Sequence, residues 1–147
     1  RFRDFPSSPR EDVVSVWLAA GKDVAVVSHE SALELLELSD VNPRVIHLSV
    51  PRSKRHLPTL PATVIHTTTR PFHAEELTVR EGVTLTDATR SILDSAAAGT
   101  APEQIEMAAV QALERGLTTG DQLRERSSTY SRRVRGLIDS ALSLVVP

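Results

Sequence analysis

The order of hydrophobic patterns along this chain of 147 residues restricts its fold more than any other feature. A helical pattern comes first, a strand and a second helix follow, and then come several strand patterns. Only helical patterns remain after residue 87. We therefore predict one α/β (α+β) domain, with a small mixed sheet of about four to five strands covered by helices and a helical C-terminal part.

The predicted strands are short and mostly β-branched. The tripeptide Val-Ile-His occurs at 45–47 and again at 64–66, which suggests two neighbouring strands. Glu81-Gly82 separates two further strands and predicts a tight hairpin. The predicted strands are 24–27, 45–50, 63–68, 77–80 and 83–85.

Stop and start signals delimit six helices. Ser8 with Pro9, Ser28, Asp87 or Thr86, and the capping box that begins at Thr100 mark helix starts, and Gly21, Gly99 and Gly116 mark ends. The predicted helices are about 9–20, 29–38, 88–98, 101–115, 120–127 and 130–144. The predicted core consists of Trp17, Val26, Leu33, Leu36, Ile46, Leu48, Ile92, Leu93, Ile105, Leu113, Leu137 and Ile138.

Composition excludes several classes of protein. The chain has no cysteine, so a disulfide framework, a thiolate nucleophile and a cysteine-based zinc site are excluded. The net charge of −2 and 3% aromatic content argue against a pure nucleic-acid-binding module. We see neither a signal peptide nor a membrane span and expect a cytoplasmic protein without a membrane partner. Since the first residue is Arg1, we expect a fragment of a longer protein.

Recognisable catalytic motifs are missing from the sequence. We find no glycine-rich phosphate loop, no G-x-S-x-G turn and no H-E-x-x-H helix. A degenerate α/β nuclease would require a strand in which an acidic residue lies two residues before a lysine. No carboxylate lies two residues before Lys22 or Lys54. His47 and His66 could share adjacent strands, but scattered histidines rarely make a zinc site, so we expect polar positions facing solvent or a hydrogen-bond partner. We predict no enzymatic activity, no cofactor and no metal.

Two basic clusters are candidate contact sites for an anionic partner. The first contains Arg52, Lys54 and Arg55 in a proline-flanked loop, and the second contains Arg126, Arg132, Arg133 and Arg135. Cations in the first turn of the last helix oppose the helix dipole, which costs a few tenths of a kcal/mol each. A functional contact would explain that cost. The alternative is pairing with acids such as Asp121 or Glu125.

An acidic stripe leaves a similar choice open. Glu30, Glu34 and Glu37 share one face of the second helix, and Asp40 follows. Such a stripe can bind a basic partner, but it is more often the solvated face of an amphipathic helix, which we favour.

An ordered set of segments resembles a known family. Five segments follow one another along the chain: VVSHESALELLEL at 26–38, VIHLSVPRSKRHLP at 45–58, VIHTTTRPF at 64–72, EGVTLTDATRSILDSAA at 81–97 and AVQALERGLTTGDQL at 109–123. Together they look like the C-terminal domain of the AbiEi-type antitoxins of bacterial type IV toxin–antitoxin systems. The matching positions include Ser28, Ser31, Arg90 and Asp94. Ser91 stands where the family usually has threonine, and Ala88-Thr89 stands where it commonly has a proline.

The resemblance implies a non-enzymatic antitoxin and transcriptional regulator. Such proteins join an N-terminal winged-helix DNA-binding domain, which we expect to be absent from 1–147, to an α/β domain needed for antitoxicity. The implied partners are a nucleotidyltransferase-like toxin and operator DNA. Independently of the family, the i, i+4 spacing of Arg90 and Asp94 predicts a salt bridge along one helix face, and partner contact is the alternative role. Alternatives to the antitoxin are a degenerate α/β nuclease and an accessory nucleic-acid-binding domain.

Overall fold

A five-stranded mixed sheet forms the centre of the computed structural model, which describes residues 9–54, 60–68 and 70–145. The strand order is β3-β2-β1-β5-β4, so the shortest strand, β1, lies in the middle. The predicted mixed α+β architecture is confirmed. The strands of this described part are β1 (Val26–Val27), β2 (Ile46–Pro51), β3 (Thr63–Thr68), β4 (Leu77–Arg80) and β5 (Val83–Thr86).

Strand directions place two carboxyl ends side by side. β2 and β3 run parallel, with Pro51 opposite Thr68, while β1 pairs antiparallel with β2 and parallel with β5. β4 and β5 form the predicted antiparallel hairpin around Glu81 and Gly82. The residues that follow β2 and β3 therefore leave the sheet at the same end, where both strands have their carboxyl termini.

Six helices cover the sheet and extend beyond it in the described part of the chain. β1 is shorter than predicted because the backbone N–H groups of Val24 and Ala25 donate to the carbonyl of Gly21, in a turn that follows α1. The second helix also ends early, and a turn follows it at Leu36. The helices are α1 (Pro9–Ala20), α2 (His29–Leu35), α3 (Ala88–Ala98), α4 (Pro102–Glu114), α5 (Gly120–Ser127) and α6 (Arg132–Ser143).

Local chemistry explains where α3 begins and ends. Asp87 caps the helix by accepting a hydrogen bond from the backbone N–H of Arg90, and Gly99 ends it in the left-handed region at φ 103°. The capping box predicted at Thr100 is wrong. Ala101 is the N-cap of α4, and the hydroxyl of Thr100 instead donates to Glu30 Oε2 at 2.8 Å. Thr100 therefore connects the start of α4 to α2.

Most of the predicted core is buried. Trp17 packs inside, and its indole N–H donates to the carbonyl of Ala25 at 2.7 Å, which connects α1 to the turn before β1. Three predicted core residues, Ile46, Leu113 and Leu137, are only partly buried and pack against the rim of the core. These three lie on the outer flank of their elements, so the sequence pattern places the apolar face correctly but overestimates its width.

Removing one methyl group from the centre of the core is expected to lower stability measurably. Ile92 is fully buried on α3, so Ile92→Val should reduce the free energy of unfolding by about 1 kcal/mol. Val79 is 60% exposed on the edge strand β4, and Val79→Ala should cost less than about 0.5 kcal/mol as the matched control. Urea unfolding followed by Trp17 fluorescence measures both changes, and equal losses would contradict this placement of α3.

Candidate functional site

Three histidines form a stacked cluster on one face of the β2–β3 pair. The ring of His29 stacks on that of His66 with centroids 3.7 Å apart, and His47 lies 5.2 Å from His66 between ring centroids. His47 Nδ1 and His66 Nε2 are 3.0 Å apart and share a hydrogen bond. The sequence predicted that His47 and His66 would be polar strand positions, but it did not bring His29 to them. We call these residues the histidine cluster.

Hydroxyl groups hold the histidine cluster in place. Ser28 Oγ lies 2.7 Å from His29 Nδ1 and 2.7 Å from Ser49 Oγ, so it connects α2 to β2. Ser28 is the N-cap residue of α2, as predicted, but its side chain makes no cap hydrogen bond. Ser31 Oγ accepts the backbone N–H of His47 at 2.9 Å. Both serines of the resembled motif therefore join α2 to β2.

Burial keeps the histidine cluster neutral. Burial first, and then the charges of His66, His47 and Arg90, lower the pKa of His29 to about 3. Burial followed by the charge of His47 lowers the pKa of His66 to about 4. Burial also lowers the pKa of His47, against an opposing effect of Glu30.

The backbone of His29 adds strain at the same place. Its φ of 57° lies in the left-handed region, which histidine enters more readily than bulky residues do. Because a residue in that region persists only where its surroundings hold it, the ring contacts with His66 and Ser28 are part of what fixes the start of α2.

A second polar group surrounds Arg90, which is 4% exposed. Arg90 Nε donates to Asp94 Oδ2 at 2.9 Å, which confirms the predicted i, i+4 salt bridge, and NH1 lies 3.4 Å from Glu76 Oε1. The hydroxyl of Tyr130 donates to Asp94 Oδ1. Burial raises the pKa of both Asp94 and Tyr130, while Arg90 opposes the change at Asp94. We call Glu76, Arg90, Asp94 and Tyr130 the arginine network.

The segment after β3 closes over the arginine network. Arg90 NH2 donates to the carbonyl of Arg70 at 3.1 Å, and the guanidinium of Arg90 lies 4.4 Å from the ring centroid of Phe72. The guanidinium of Arg70 lies 4.1 Å from the ring centroid of Tyr130 and donates to the carbonyl of Thr129 at 3.0 Å. Arg70 is thereby positioned between β3 and the α5–α6 connection.

Two adjacent cavities open beside Arg70. The larger cavity, of about 480 Å³, lies over the arginine network and includes Arg126, Glu125 and Tyr130 in its wall. The smaller cavity has a volume of about 230 Å³. It is lined by His29 of α2, by Ser49, His66, Thr67 and Thr68 of the sheet, by Arg70, and by Asp94, Ala97 and Ala98 of α3. Arg70 belongs to both walls.

Two of the predicted contact arginines have structural partners. Arg126 NH1 lies 3.2 Å from Glu76 Oε2 and 3.9 Å from Asp87 Oδ2, an ion pair without hydrogen-bond alignment. The partners are therefore not the anticipated Asp121 and Glu125. Arg133 NH2 donates to the carbonyls of Ala96 at 2.9 Å and Ala97 at 3.3 Å, at the C-terminal end of α3.

The other predicted contact residues are placed less tightly. Arg132 and Arg135 are exposed on the first turns of α6, and Arg52 is exposed directly after β2. Lys54 ends a short 3-10 turn, but its side chain lies outside the described residues, as does all of Arg55. Arg132 and Arg135 thus lie on the surface of α6, as does Arg133, which is also bonded to the end of α3.

Sequence reasoning missed Arg70, Glu76 and Tyr130 because no local pattern marks them. They lie on a connection, a short 3-10 turn and an interhelical turn, and long-range packing alone brings them to Arg90. For His29 a signal existed: it comes two residues after the buried strand β1, which pairs with β2, the first of the two Val-Ile-His strands.

Two absences hold for the part of the chain that the structure describes. Residues 9–54, 60–68 and 70–145 contain no group of three or more His, Asp or Glu side chains arranged to hold a metal ion. Within the same ranges, each helix is too short or too polar to cross a membrane.

Comparison with known proteins gives a similarity in fold. No family model and no curated protein sequence matches the chain. Among solved structures, the chain is similar to the RV2827C protein from Mycobacterium tuberculosis, with a TM-score of 0.57 and 19% identity over 92% of this chain. The chain spans 54% of the length of that protein, about half. At this identity the similarity shows a shared fold alone.

Proposed function

We propose that this domain is the antitoxin and regulatory part of a type IV toxin–antitoxin system. It neutralises a nucleotidyltransferase-like toxin in the cytoplasm and acts with an N-terminal winged-helix domain that binds operator DNA. It works by binding, without catalysis or a cofactor. The proposal rests first on the ordered segments that resemble the AbiEi-type antitoxins.

One structural observation supports the proposal most directly. Ser28, Ser31, Arg90 and Asp94, which carry the resemblance, are all buried and bonded to partners within the chain. Ser28 and Ser31 join α2 to β2, and Arg90 with Asp94 joins α3 to the segment after β3. Side chains used in this way support a binding scaffold, because they position surfaces rather than react.

The exposed arginines supply the candidate contact surface. Arg132 and Arg135 carry two positive charges on the first turns of α6, where cations oppose the helix dipole. Arg133 shares that turn, but its hydrogen bonds to the carbonyls of Ala96 and Ala97 account for its position. The structural role of Arg133 separates it from the two arginines that are candidates for partner contact.

The double variant Arg132→Glu with Arg135→Glu should lose protection against the toxin while staying folded. Charge reversal removes a contact with an anionic surface, and glutamate suits the first turn of a helix, so thermal stability should not fall. Rescue of growth during toxin co-expression from the full-length antitoxin measures the functional effect, and thermal unfolding measures the fold.

Arg80→Glu is the matched control, since Arg80 is exposed on β4 at the far edge of the sheet. It should leave rescue intact. Full protection by the double variant would remove α6 from the antitoxic surface. Loss of rescue that comes with a lower melting temperature would assign a structural role to Arg132 or Arg135.

An accessory nucleic-acid-binding role is the second candidate, favoured by the same exposed arginines. Phosphate contacts of this kind weaken with salt and do not distinguish sequences. If Arg132→Glu with Arg135→Glu weakens binding of unrelated DNA duplexes equally, but leaves rescue intact, the second candidate replaces the first.

A further inference from the structure

The smaller cavity lies where two parallel strands end. His66, Thr67 and Thr68 belong to the last half of β3, and Ser49 lies opposite His66 on β2. Arg70 follows β3, and exposed Arg52 follows β2 at the same end of the sheet. The carboxyl ends of parallel strands are the usual place for ligands in open sheets that carry helices.

The cavity wall offers hydrogen-bond groups whose positions are already fixed. His29 uses Nδ1 towards Ser28, and His66 uses Nε2 towards His47. The second nitrogen of each ring has no protein partner shown among residues 9–54, 60–68 and 70–145. Both residues line the cavity, and their rings stack with centroids 3.7 Å apart.

Charge in the wall favours an anion. Arg70 is exposed and bonded through NH2 to the carbonyl of Thr129, so its charge has no carboxylate partner within ion-pair distance in the described part of the chain. The one carboxylate in the wall, Asp94, is already engaged by Arg90 Nε and by the hydroxyl of Tyr130. Among the described residues, Arg70 therefore brings to the cavity a guanidinium that is held by Thr129 and Tyr130 but paired with no carboxylate, and the carboxylate beside it is already paired with Arg90.

We propose that the smaller cavity is a phosphate-binding site, in which Arg70, His29 and His66 contact the phosphate oxygens of free phosphate or of a small phosphate monoester. Guanidinium groups suit this ligand because they form charge-assisted hydrogen bonds to two oxygens at once. The site goes beyond the antitoxin function and does not depend on it.

The neighbouring cavity sets the size of the ligand. The smaller cavity, at about 230 Å³, holds a phosphate group, and the larger one, at about 480 Å³, shares Arg70 with it. A monoester with its phosphate on Arg70 can extend its organic part towards Pro71 and Tyr130 in the larger cavity. A nucleoside monophosphate is the probe that tests this extension.

Anion binding in this cavity is coupled to protons. Burial keeps the pKa of His29 and His66 low in the empty protein, with His47 and Arg90 adding to the effect at His29. Two acids face these rings. Glu30 opposes the lowering of the pKa of His47, and Asp94 lies in the cavity wall. A bound anion favours the protonated imidazole and so raises the pKa of both rings, and binding strengthens as the pH falls towards those raised values.

The test is a titration of the domain with inorganic phosphate, followed by NMR of the histidine ring signals at constant ionic strength with EDTA present. The signals of His29 and His66 should shift together and saturate. Arg70→Gln should weaken binding about tenfold or more, as expected for loss of a charge-assisted hydrogen bond. Arg80→Gln changes a residue of β4, the outer strand farthest from β3, and should bind like the parent.

Two further arms sharpen the result. Sulfate, whose charge is constant, should bind more tightly at about pH 6 than at about pH 7, by at most tenfold for each proton taken up. Tighter binding of a nucleoside monophosphate than of phosphate assigns the ligand to the monoesters, and equal binding assigns it to the phosphate group alone. Unshifted histidine signals, equal binding by Arg70→Gln, or binding seen only without EDTA would each overturn the proposal.

Discussion

Lowering the pH from about 7 to 5 is expected to remove roughly 3 kcal/mol of folding stability, mainly through His29 and His66. Burial holds the pKa of His29 at about 3 and that of His66 at about 4, whereas an unfolded histidine titrates near 6.5. Between these folded and unfolded pKa values, the unfolded chain therefore binds protons at His29 and His66 that the folded chain does not bind. Stability is fully present above about pH 6.5 and is lost as the pH falls from that value towards the folded pKa.

The opposing groups set the lower limit of this pH window. Burial raises the pKa of Asp87 and Asp94, so the folded state binds protons at these carboxyl groups more readily than the unfolded state does. Their contribution increases stability as the pH falls through their raised pKa values, and it offsets part of the loss that comes from the histidines. His47 adds to the histidine effect because burial lowers its pKa as well, although Glu30 opposes that change.

Urea unfolding at several pH values measures the effect, and His29→Asn isolates one of its sources. Asparagine tolerates the left-handed backbone at this position and can still bond to Ser28, but it does not titrate. The variant should lose about half of the pH dependence, whereas His73→Gln, at an exposed position outside the cluster, should retain all of it. A parent protein equally stable at pH 7 and 5 would contradict the assignment.

Local patterns in the sequence were sufficient to predict the elements of the fold. The strands after residue 44, the hairpin at Glu81-Gly82 and the helices from Asp87 onward follow from β-branched runs, turn residues and helix stops. The salt bridge between Arg90 and Asp94 was predictable for the same reason, since both residues lie on one helix. Errors arose where a side chain bonds across the fold, as that of Thr100 does instead of capping a helix.

The candidate site was less predictable because it is built from long-range contacts. Glu76 and Tyr130 reach Arg90 and Asp94 from separate parts of the chain, and Arg70 reaches Tyr130 through a connection without periodicity. A hydrophobic pattern reports which face of an element is buried, but not which polar side chains meet there. Polar convergence of this kind follows from the strand order, which a single sequence does not specify.

Replacing Arg90 by methionine is expected to cost about 3–5 kcal/mol, because it leaves the buried carboxylate of Asp94 without its cation and that of Glu76 with Arg126 alone. Arg90 is 4% exposed, and the side chains of Glu76 and Asp94 are 9% and 10% exposed. Methionine fills a similar volume, so the loss reports charge and hydrogen bonding rather than a cavity. Lysine should restore little, since Arg90 donates in several directions, to Asp94, Glu76 and the carbonyl of Arg70.

Two comparisons distinguish the buried ion pair from general damage at α3. Arg126→Met removes a second cation from Glu76, but Arg126 is 27% exposed, so this variant should cost about 1 kcal/mol or less. Adding Asp94→Asn to Arg90→Met removes one uncompensated charge and should recover part of the stability, giving a non-additive double-mutant cycle. Arg90 also donates a hydrogen bond to the carbonyl of Arg70. Arg90→Met should therefore release the segment around Arg70 and weaken phosphate binding in the neighbouring cavity. A loss below about 1 kcal/mol for Arg90→Met in urea unfolding, or full additivity with Asp94→Asn, would show that the arginine network does not hold this part of the fold together.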